Sequence, residues 1–175
     1  SGHIAAIPGE TLSSDTLDKL RKLEPASLPA APQGVRLGAC VNPVKTRNFV
    51  AVGLNYADHA AEAGMPIPAE PILFNKLTNC LIGPNDDVMM PKGSLKLDWE
   101  VEIAFVMGKR CRYVEEKDAL SYVAGYAVCN DVSERHFQLE RSGQWMKGKC
   151  FETSGPLGPW LVTTDEIKDV QNLSM

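Results

Sequence analysis

The sequence has no long hydrophobic run, no excess of basic residues and no glycine-rich phosphate loop, and each absence argues against a class of protein. No apolar stretch approaches the roughly 18 residues that a membrane-spanning helix needs, so we expect no membrane partner. Lys and Arg number 18 against 22 Asp and Glu, a formal net charge of -4, which argues against nucleic acid as a partner. No dinucleotide-binding fingerprint is present either.

The five cysteines follow neither a zinc-binding pattern nor a disulfide pattern. Their number is odd, they are scattered, and no Cys-x-x-Cys pair or Cys/His cluster occurs. We therefore expect reduced thiols and a cytoplasmic location. The cysteines are Cys40, Cys80, Cys111, Cys129 and Cys150.

The chain has an ordinary globular composition, with 44% hydrophobic and 23% charged residues in 175, which is enough for one core. Residues 1–46 are rich in Pro, Ala, Ser and Leu and predict an N-terminal region and linker, with a helix over Thr11–Leu23 and an extended connector over Glu24–Gly34. Residues 47–175 predict the compact domain. Its short strands include Asn48–Gly53, Pro71–Lys76 and Asp87–Met90.

The clearest predicted strand, Trp99–Met107, has one apolar and one acidic face. Side chains alternate along a strand, so the face that carries Trp99, Val101, Ile103 and Phe105 is predicted to pack on the core. Asp98, Glu100 and Glu102 share the other face. Carboxylates at this spacing lie within about 7 Å at their Cα atoms and repel one another unless solvent or a cation intervenes. Oxygen ligands favour Mg²⁺, Mn²⁺ or Ca²⁺ over zinc, and a solvated strand face is the alternative.

Asp131 follows a predicted strand, Tyr126–Cys129, and precedes a helix predicted over about Val132–Arg141. Its carboxylate could close an open octahedral metal site with the acidic strand face. It could equally cap the helix, because Glu134 three residues later completes a capping-box pattern. The residues alone leave both roles open.

A short predicted helix, Tyr56–Ala63, carries His59 and Glu62 three residues apart on one face, so they could act as an acid–base pair. An exposed helical pair without a catalytic role is the alternative. Four cations flank the acidic motifs, as binding a small oxo acid beside a metal would require, although each alone could be a surface charge. They are Lys76, Arg135, Lys147 and Lys149.

Four motifs, in this order, resemble the fumarylacetoacetate hydrolase superfamily, and the resemblance covers about Asn48 to Leu173. The motifs are Gly53–His59, Asp98–Glu102, Gly125–Ser133 and Gly155–Trp160. By this resemblance Glu100, Glu102 and Asp131 match the metal-binding carboxylates, which normally hold Mg²⁺ or Mn²⁺ and in some members Ca²⁺. His59 and Glu62 match the water-activating dyad. Arg135, Gln138 and Lys149 match positions that contact the substrate or its oxyanion, and Lys76 matches a lysine that lines the same cleft.

The resemblance also implies a fold and a reaction. The fold is α+β and β-rich, a mixed β-sandwich roll with peripheral helices, usually in a homodimer. The reaction is metal-dependent C–C cleavage of a 2,4-dioxo acid to release pyruvate, with a small 2-oxo acid unit chelated by the metal. Leu23–Pro29 and Ser133–Arg141 look closest to a sugar-acid branch of 2,4-diketo-3-deoxy-L-fuconate or -rhamnonate hydrolases, often labelled ureidoglycolate lyases.

Several alternatives share these motifs. Ureidoglycolate cleavage, oxaloacetate decarboxylation and 2-oxo-enoic acid isomerisation would use the same metal site, and a non-catalytic, metal-stabilised module is a further possibility. Family members continue beyond Met175, and Ser1–Ile4 resembles the middle of their small N-terminal domain. We therefore expect residues 47–175 to be the N-terminal portion of the catalytic domain and residues 1–46 to be a partial N-terminal region.

Overall fold

The structure is a computed structural model that describes residues 13–175. Its α-helices are α1 (Ser14–Leu20), α2 (Ala57–Glu62), α3 (Arg135–Leu139) and α4 (Met146–Lys149). Three 3₁₀ helices cover Pro25–Ser27, Thr78–Cys80 and Glu116–Tyr122. The strands are β1 (Phe49–Gly53), β2 (Ile72–Lys76), β3 (Leu81–Ile82), β4 (Leu97–Asp98), β5 (Val101–Met107), β6 (Val123–Asn130), β7 (Ser133–Glu134), β8 (Gly155–Pro156) and β9 (Val162–Thr163).

The described strands form four small sheets. The largest has the order β5-β6-β9, with antiparallel pairing throughout. β1 pairs antiparallel with β2, β4 pairs antiparallel with β7, and β3 pairs parallel with β8. Several sheets and few helices agree with the predicted α+β, β-rich class. The closed sandwich roll stays a prediction.

The core lies against β6, the strand that pairs on both of its edges. Leu81, Ala127, Cys129 and Leu157 are buried together, and Ala104 of β5 packs against them. This core is small, and no helix of the described residues is both long and apolar enough to cross a bilayer.

The prediction that the apolar face of β5 packs on the core is wrong for residues 13–175. Trp99 is 71% exposed, Phe105 59% and Val101 43%. Ala104 packs on the core instead, so the strand turns its opposite face inward. Periodicity identified the two faces but could not decide which of them the described chain covers.

Three predicted elements need correction. Asp87–Met90 is irregular, since no partner strand pairs with it among the described residues. The strand predicted over Trp99–Met107 begins at Val101 instead, because the Glu100 amide donates to the Asn130 side chain at 3.1 Å and Asp98 already pairs with β7 in a separate strand. α1 begins at Ser14, where the Ser13 hydroxyl accepts from the Thr16 amide at 3.2 Å; Thr11 and Leu12 of the predicted helix lie outside the described residues.

Candidate active site

Two buried lysines hold the centre of the site. The Lys149 ammonium lies 2.7 Å from Glu100 Oε2 and 2.9 Å from Asp131 Oδ2, and only 2% of the side chain is exposed. Lys76 Nζ lies 2.7 Å from Asp131 Oδ1. That contact lacks the direction of a hydrogen bond, so Oδ1 is a buried oxygen with a charge partner and no hydrogen bond. The carboxylates of Glu100 and Asp131 therefore converge on one point, which an ammonium group takes.

These groups lie at or next to the ends of two strands and one helix, which bring them together. Lys76 is the last residue of β2, Asp131 directly follows β6, and Lys149 ends α4. The Lys76 ammonium also donates to the Lys149 carbonyl at 2.6 Å and to the Ser154 hydroxyl at 3.2 Å. The two lysines are thus positioned by each other as well as by the carboxylates.

A close approach of two short helices sets the position of α4. A Cβ atom at Gly148 would lie 2.6 Å from the Gln138 Cβ and would also collide with the Glu134 carbonyl oxygen. Only glycine allows this contact, because real Cβ atoms do not approach other atoms so closely. Gly148 therefore lets α4 pack on α3 with Lys149 directed at the carboxylates.

Arg135 is a third cation that contacts the acidic side chains. Its Nη2 lies 2.7 Å from Glu100 Oε1 and 2.8 Å from Asp98 Oδ2. Its Nη1 donates to Gln138 Oε1 at 3.0 Å. Each oxygen of Glu100 therefore faces a different cation. Of the two predicted substrate-binding residues on α3, Arg135 contacts the acidic side chains and Gln138 contacts Arg135.

Glu102 lacks such a partner. Burial is the largest cause that raises its pKa, followed by repulsion from the Glu100 and Asp131 charges; a hydrogen bond with Tyr56 and the charge of Lys149 oppose the shift. Burial and the charge of Glu102 in turn raise the pKa of Tyr56. No ion pair to Glu102 occurs within residues 13–175, so its carboxylate is where the site most needs added positive charge.

The oxygen donors of the predicted metal ligands suit a hard divalent ion, but these side chains are not already arranged around one metal position. Within the described part of the chain, no group of three His, Cys, Asp or Glu side chains is arranged to hold a metal ion. The donors are nevertheless all oxygen, Asp131 Oδ1 has no hydrogen bond, and Glu102 is repelled by its neighbours. An ion would relieve that repulsion once Lys149 moved away from the point of convergence.

The predicted dyad lies on α2. His59 and Glu62 are both exposed, and no hydrogen bond joins their side chains in the part of the chain that is described. Both line one open concavity of about 2680 Å³ together with all seven other predicted site residues. These are Lys76, Glu100, Glu102, Asp131, Arg135, Gln138 and Lys149.

Of the two roles that the sequence left open for Asp131, the structure gives helix capping to Glu134 instead. α3 begins at Arg135 rather than Val132, and Glu134 caps it by accepting from the Phe137 amide at 2.6 Å. The other oxygen of Glu134 accepts from the Leu95 and Lys96 amides at 2.8 and 2.6 Å. Asp131 is therefore free of capping and contacts the two lysines.

Sequence reasoning missed three residues that support the site. Ser154 contacts Lys76 from a position with no motif of its own, and Glu134 was read only as half of a capping box. Tyr56 contacts Glu102 and lies within the quoted Gly53–His59 motif, which is the signal that could have identified it.

Comparison with known proteins identifies a family. The sequence profile described as fumarylacetoacetate (FAA) hydrolase C-terminal matches residues 48–175. A Burkholderia cenocepacia protein, named provisionally as a hydrolase, is 55% identical over 175 residues, which is all of this chain and 61% of that protein. The chain thus spans about 61% of the length of the curated relatives it matches.

Solved structures agree. A Mycobacterium smegmatis protein assigned provisionally as HpcE is 38% identical, with a TM-score of 0.74 over 89% of this chain and 54% of that one. A 2-hydroxyhepta-2,4-diene-1,7-dioate isomerase from Mycobacterium marinum is 35% identical, with a TM-score of 0.58 over 67% of this chain and 42% of that one. Both share their fold with the described chain.

Proposed function

Because the chain belongs to the fumarylacetoacetate hydrolase family, we propose that its protein is a divalent-metal-dependent hydrolase that cleaves a C–C bond in a sugar-acid-derived 2,4-dioxo acid and releases pyruvate. Members of this family generally depend on a divalent metal. The observation that carries the proposal is the convergence of Glu100 and Asp131, with Glu102 beside them, in a concavity lined by basic side chains.

Glu100, Glu102 and Asp131 would hold the ion, with Mg²⁺ or Mn²⁺ preferred and Ca²⁺ acceptable to the same oxygen donors. When bound, the ion would supply positive charge opposite the carboxylate and 2-oxo oxygens of the substrate. The raised pKa of Glu102 supports this assignment, because the charged form of that residue gains most from a nearby cation.

The basic residues of the cleft have separate tasks. Arg135 can offer a planar donor to a substrate carboxylate, with Gln138 orienting its guanidinium. Lys149, once separated from Glu100, can donate a hydrogen bond to the oxyanion that forms at the attacked carbonyl. Lys76 remains on Asp131 and holds that carboxylate in place.

His59 would take a proton from the attacking water, and Glu62 would orient the imidazole. Both side chains are exposed to the concavity, where water and substrate have access to them. Their approach to hydrogen-bonding distance would accompany substrate binding, since catalytic hydrogen bonds often tighten only in the complex.

Isomerisation of a 2-oxo-enoic acid is the second candidate. Two observations favour it: no hydrogen bond joins the His59 and Glu62 side chains within residues 13–175, and two similar structures are named as isomerases. Isomerisation needs no water attack and so makes less use of this dyad.

The test uses the full-length protein with Mg²⁺ or Mn²⁺ and a panel of 2,4-dioxo acids, following pyruvate release. Oxaloacetate and ureidoglycolate serve as comparison substrates, and ultraviolet absorbance follows isomerisation of a 2-oxo-enoic acid. We expect metal-dependent pyruvate from a dioxo acid, with a loss of at least about 100-fold in His59→Ala. Turnover of the enoic acid alone, undiminished in His59→Ala, would select the isomerase.

A further inference from the structure

An aromatic ring lies beside the Lys149 ammonium, outside the set of charged residues that surround it. Lys149 Nζ lies over the face of the Phe74 ring, 5.2 Å from its centroid. A cation within about 6 Å of an aromatic centroid is attracted by the electron-rich face of the ring. Among the described residues, the ammonium therefore contacts two carboxylates, those of Glu100 and Asp131, and one ring.

The strand that carries Phe74 reaches Lys149 at two points. Side chains two residues apart on a strand share a face, so Phe74 and Lys76 of β2 point the same way. The Lys76 ammonium donates to the Lys149 carbonyl at 2.6 Å, while the Phe74 ring meets the Lys149 ammonium. β2 therefore contacts both the main chain of Lys149 and the tip of its side chain.

Trp145 supports the Phe74 ring in this position. The centroids of the two rings are 5.5 Å apart with an interplanar angle of 67°, an edge-to-face arrangement, and both rings line the concavity. Trp145 in turn lies against Gly53 at the end of β1, where a Cβ atom would be 2.4 Å from Trp145 Cζ3. The indole can pack there because Gly53 has no side chain. Since Trp145 directly precedes α4, the helix that ends in Lys149 also supports the ring beside it.

We propose that Phe74 is a positioning residue that keeps the Lys149 ammonium in the cleft and becomes its partner once a divalent ion takes the carboxylates. In the metal-free protein, ion pairs at 2.7 and 2.9 Å outweigh the ring contact at 5.2 Å. With Glu100 and Asp131 occupied, the ring is the remaining partner among the described residues. Without the ring, a side chain that is only 2% exposed would keep an uncompensated charge, so an ion would bind less tightly. This second step rests on the proposed function.

The test measures the Mn²⁺ dissociation constant of the full-length protein by electron paramagnetic resonance. We expect Phe74→Leu to raise it about tenfold, because leucine is apolar but has no electron-rich face. Phe74→Tyr keeps that face and should stay within about twofold of the wild type. In a Lys149→Met background, which has no ammonium to hold, Phe74→Leu should change the constant by less than about twofold.

Three outcomes overturn the proposal. An unchanged Mn²⁺ affinity in Phe74→Leu would show that the ring does not hold the ammonium. An equal loss of affinity in both backgrounds would show that Phe74 acts only on the fold. If Lys149→Met does not fold, the wild-type background decides by itself, and equal losses in Phe74→Leu and Phe74→Tyr would exclude the ring face as the cause.

A second measurement needs no metal and separates this proposal from the proposed function. The ring and the ammonium are already in contact in the metal-free protein, so in urea unfolding Phe74→Leu and Lys149→Met together should cost less stability than the sum of their separate losses. Additive losses would overturn the positioning role. If no variant binds Mn²⁺, the metal site is wrong, and coupled losses still support the contact of Phe74 with Lys149.

Discussion

Lys149 is the residue on which the charges of the site depend. Its ammonium is shared between Glu100 and Asp131 in a place that water hardly reaches, where removal of one partner of an ion pair leaves a charge uncompensated. The proposed metal would need the same place. If the proposed ion binds there, Lys149 must be displaced from both carboxylates, and its ammonium would then be available to the substrate.

Replacing Lys149 with methionine tests this competition. We expect Lys149→Met to lose on the order of 3 kcal/mol of unfolding free energy without metal, since Asp131 keeps only Lys76 as a partner. Mg²⁺ should raise the melting temperature of the variant more than that of the wild type. Chemical denaturation and thermal melting with and without Mg²⁺ measure both effects.

Lys147→Met is the matched control, because Lys147 lies on the same helix but is exposed and donates only to the Arg141 carbonyl at 3.1 Å. Its unfolding free energy should change by no more than about 0.5 kcal/mol. Equal stability of the two variants would show that the Lys149 ion pairs contribute nothing.

The sequence predicted which residues would form the site but not which of them would contact one another. Glu100, Asp131 and Lys149 were identified by motif, and the structure places them in contact. Lys76 pairs with Asp131, and Glu102 has no ion pair within the described residues, because of where the ends of strands and helices meet in space. No local pattern contains that information.

At the scale of elements, the contact between α3 and α4 positions Lys149. A methyl group at Gly148 must push α4 away from Gln138 and the Glu134 carbonyl. We expect Gly148→Ala to lose about 1–3 kcal/mol of unfolding free energy and to reduce turnover, because overpacking at a tight contact shifts backbone. Gly38→Ala, where a Cβ meets no atom within 4 Å, is the control and should be near neutral. Unchanged stability in Gly148→Ala would contradict the close contact.

Glu134 joins α3 to the loop before β4, and its ionisation makes the stability of the fold depend on pH. Burial alone would raise its pKa, but hydrogen bonds from the Lys96, Phe137 and Leu95 amides and the Ser94 hydroxyl lower it overall. A lowered folded-state pKa means that its stabilising contribution is complete above the usual pKa of glutamate and is lost as pH falls through the folded-state value.

Comparing the wild type with Glu134→Gln between pH 7 and pH 3 tests this contribution. The variant should be less stable by about 1–3 kcal/mol at pH 7, because its amide nitrogen would meet the Phe137 amide donor. The difference should shrink toward pH 3 in urea titrations. A constant difference across the range would refute the ionised form as the stabilising one.

Helices and strands bounded by Gly or Pro could be predicted from the sequence, and those that depend on contacts between distant residues could not. β1, α2 and β2 lie within a residue or two of their predicted bounds, since Gly and Pro mark their ends. α4 has four residues, too few for helical periodicity. β8 has two and exists because Leu81 and Ile82 lie beside it.

At the scale of the whole molecule, one uncovered apolar face stands out. Val101 and Phe105 are exposed on the same face of β5, and Trp99 is exposed just before that strand. Exposed apolar surface of this kind is typical of interaction surfaces. The curated relatives that the chain matches are longer, and the predicted homodimer stays a prediction. The exposed face nevertheless predicts self-association of the 175-residue chain, which can be measured.

We expect the isolated chain to associate in a concentration-dependent way through this face. Phe105→Lys should weaken the association in light scattering, because a charge in an apolar contact is costly to bury. Val44→Lys is the control, since Val44 is 88% exposed as a single residue elsewhere. Equal weakening by both variants, or no association at any concentration, would contradict this role.

Electron paramagnetic resonance of Mn²⁺ in the full-length protein tests whether Glu100, Glu102 and Asp131 bind one divalent ion. We predict one bound Mn²⁺ per chain at neutral pH, with affinity falling as pH drops because the raised pKa of Glu102 lets protons compete. Glu102→Gln should weaken binding at least tenfold, whereas Glu62→Gln should not. Equal Mn²⁺ affinity in the wild type and Glu102→Gln would show that Glu102 is not a metal ligand.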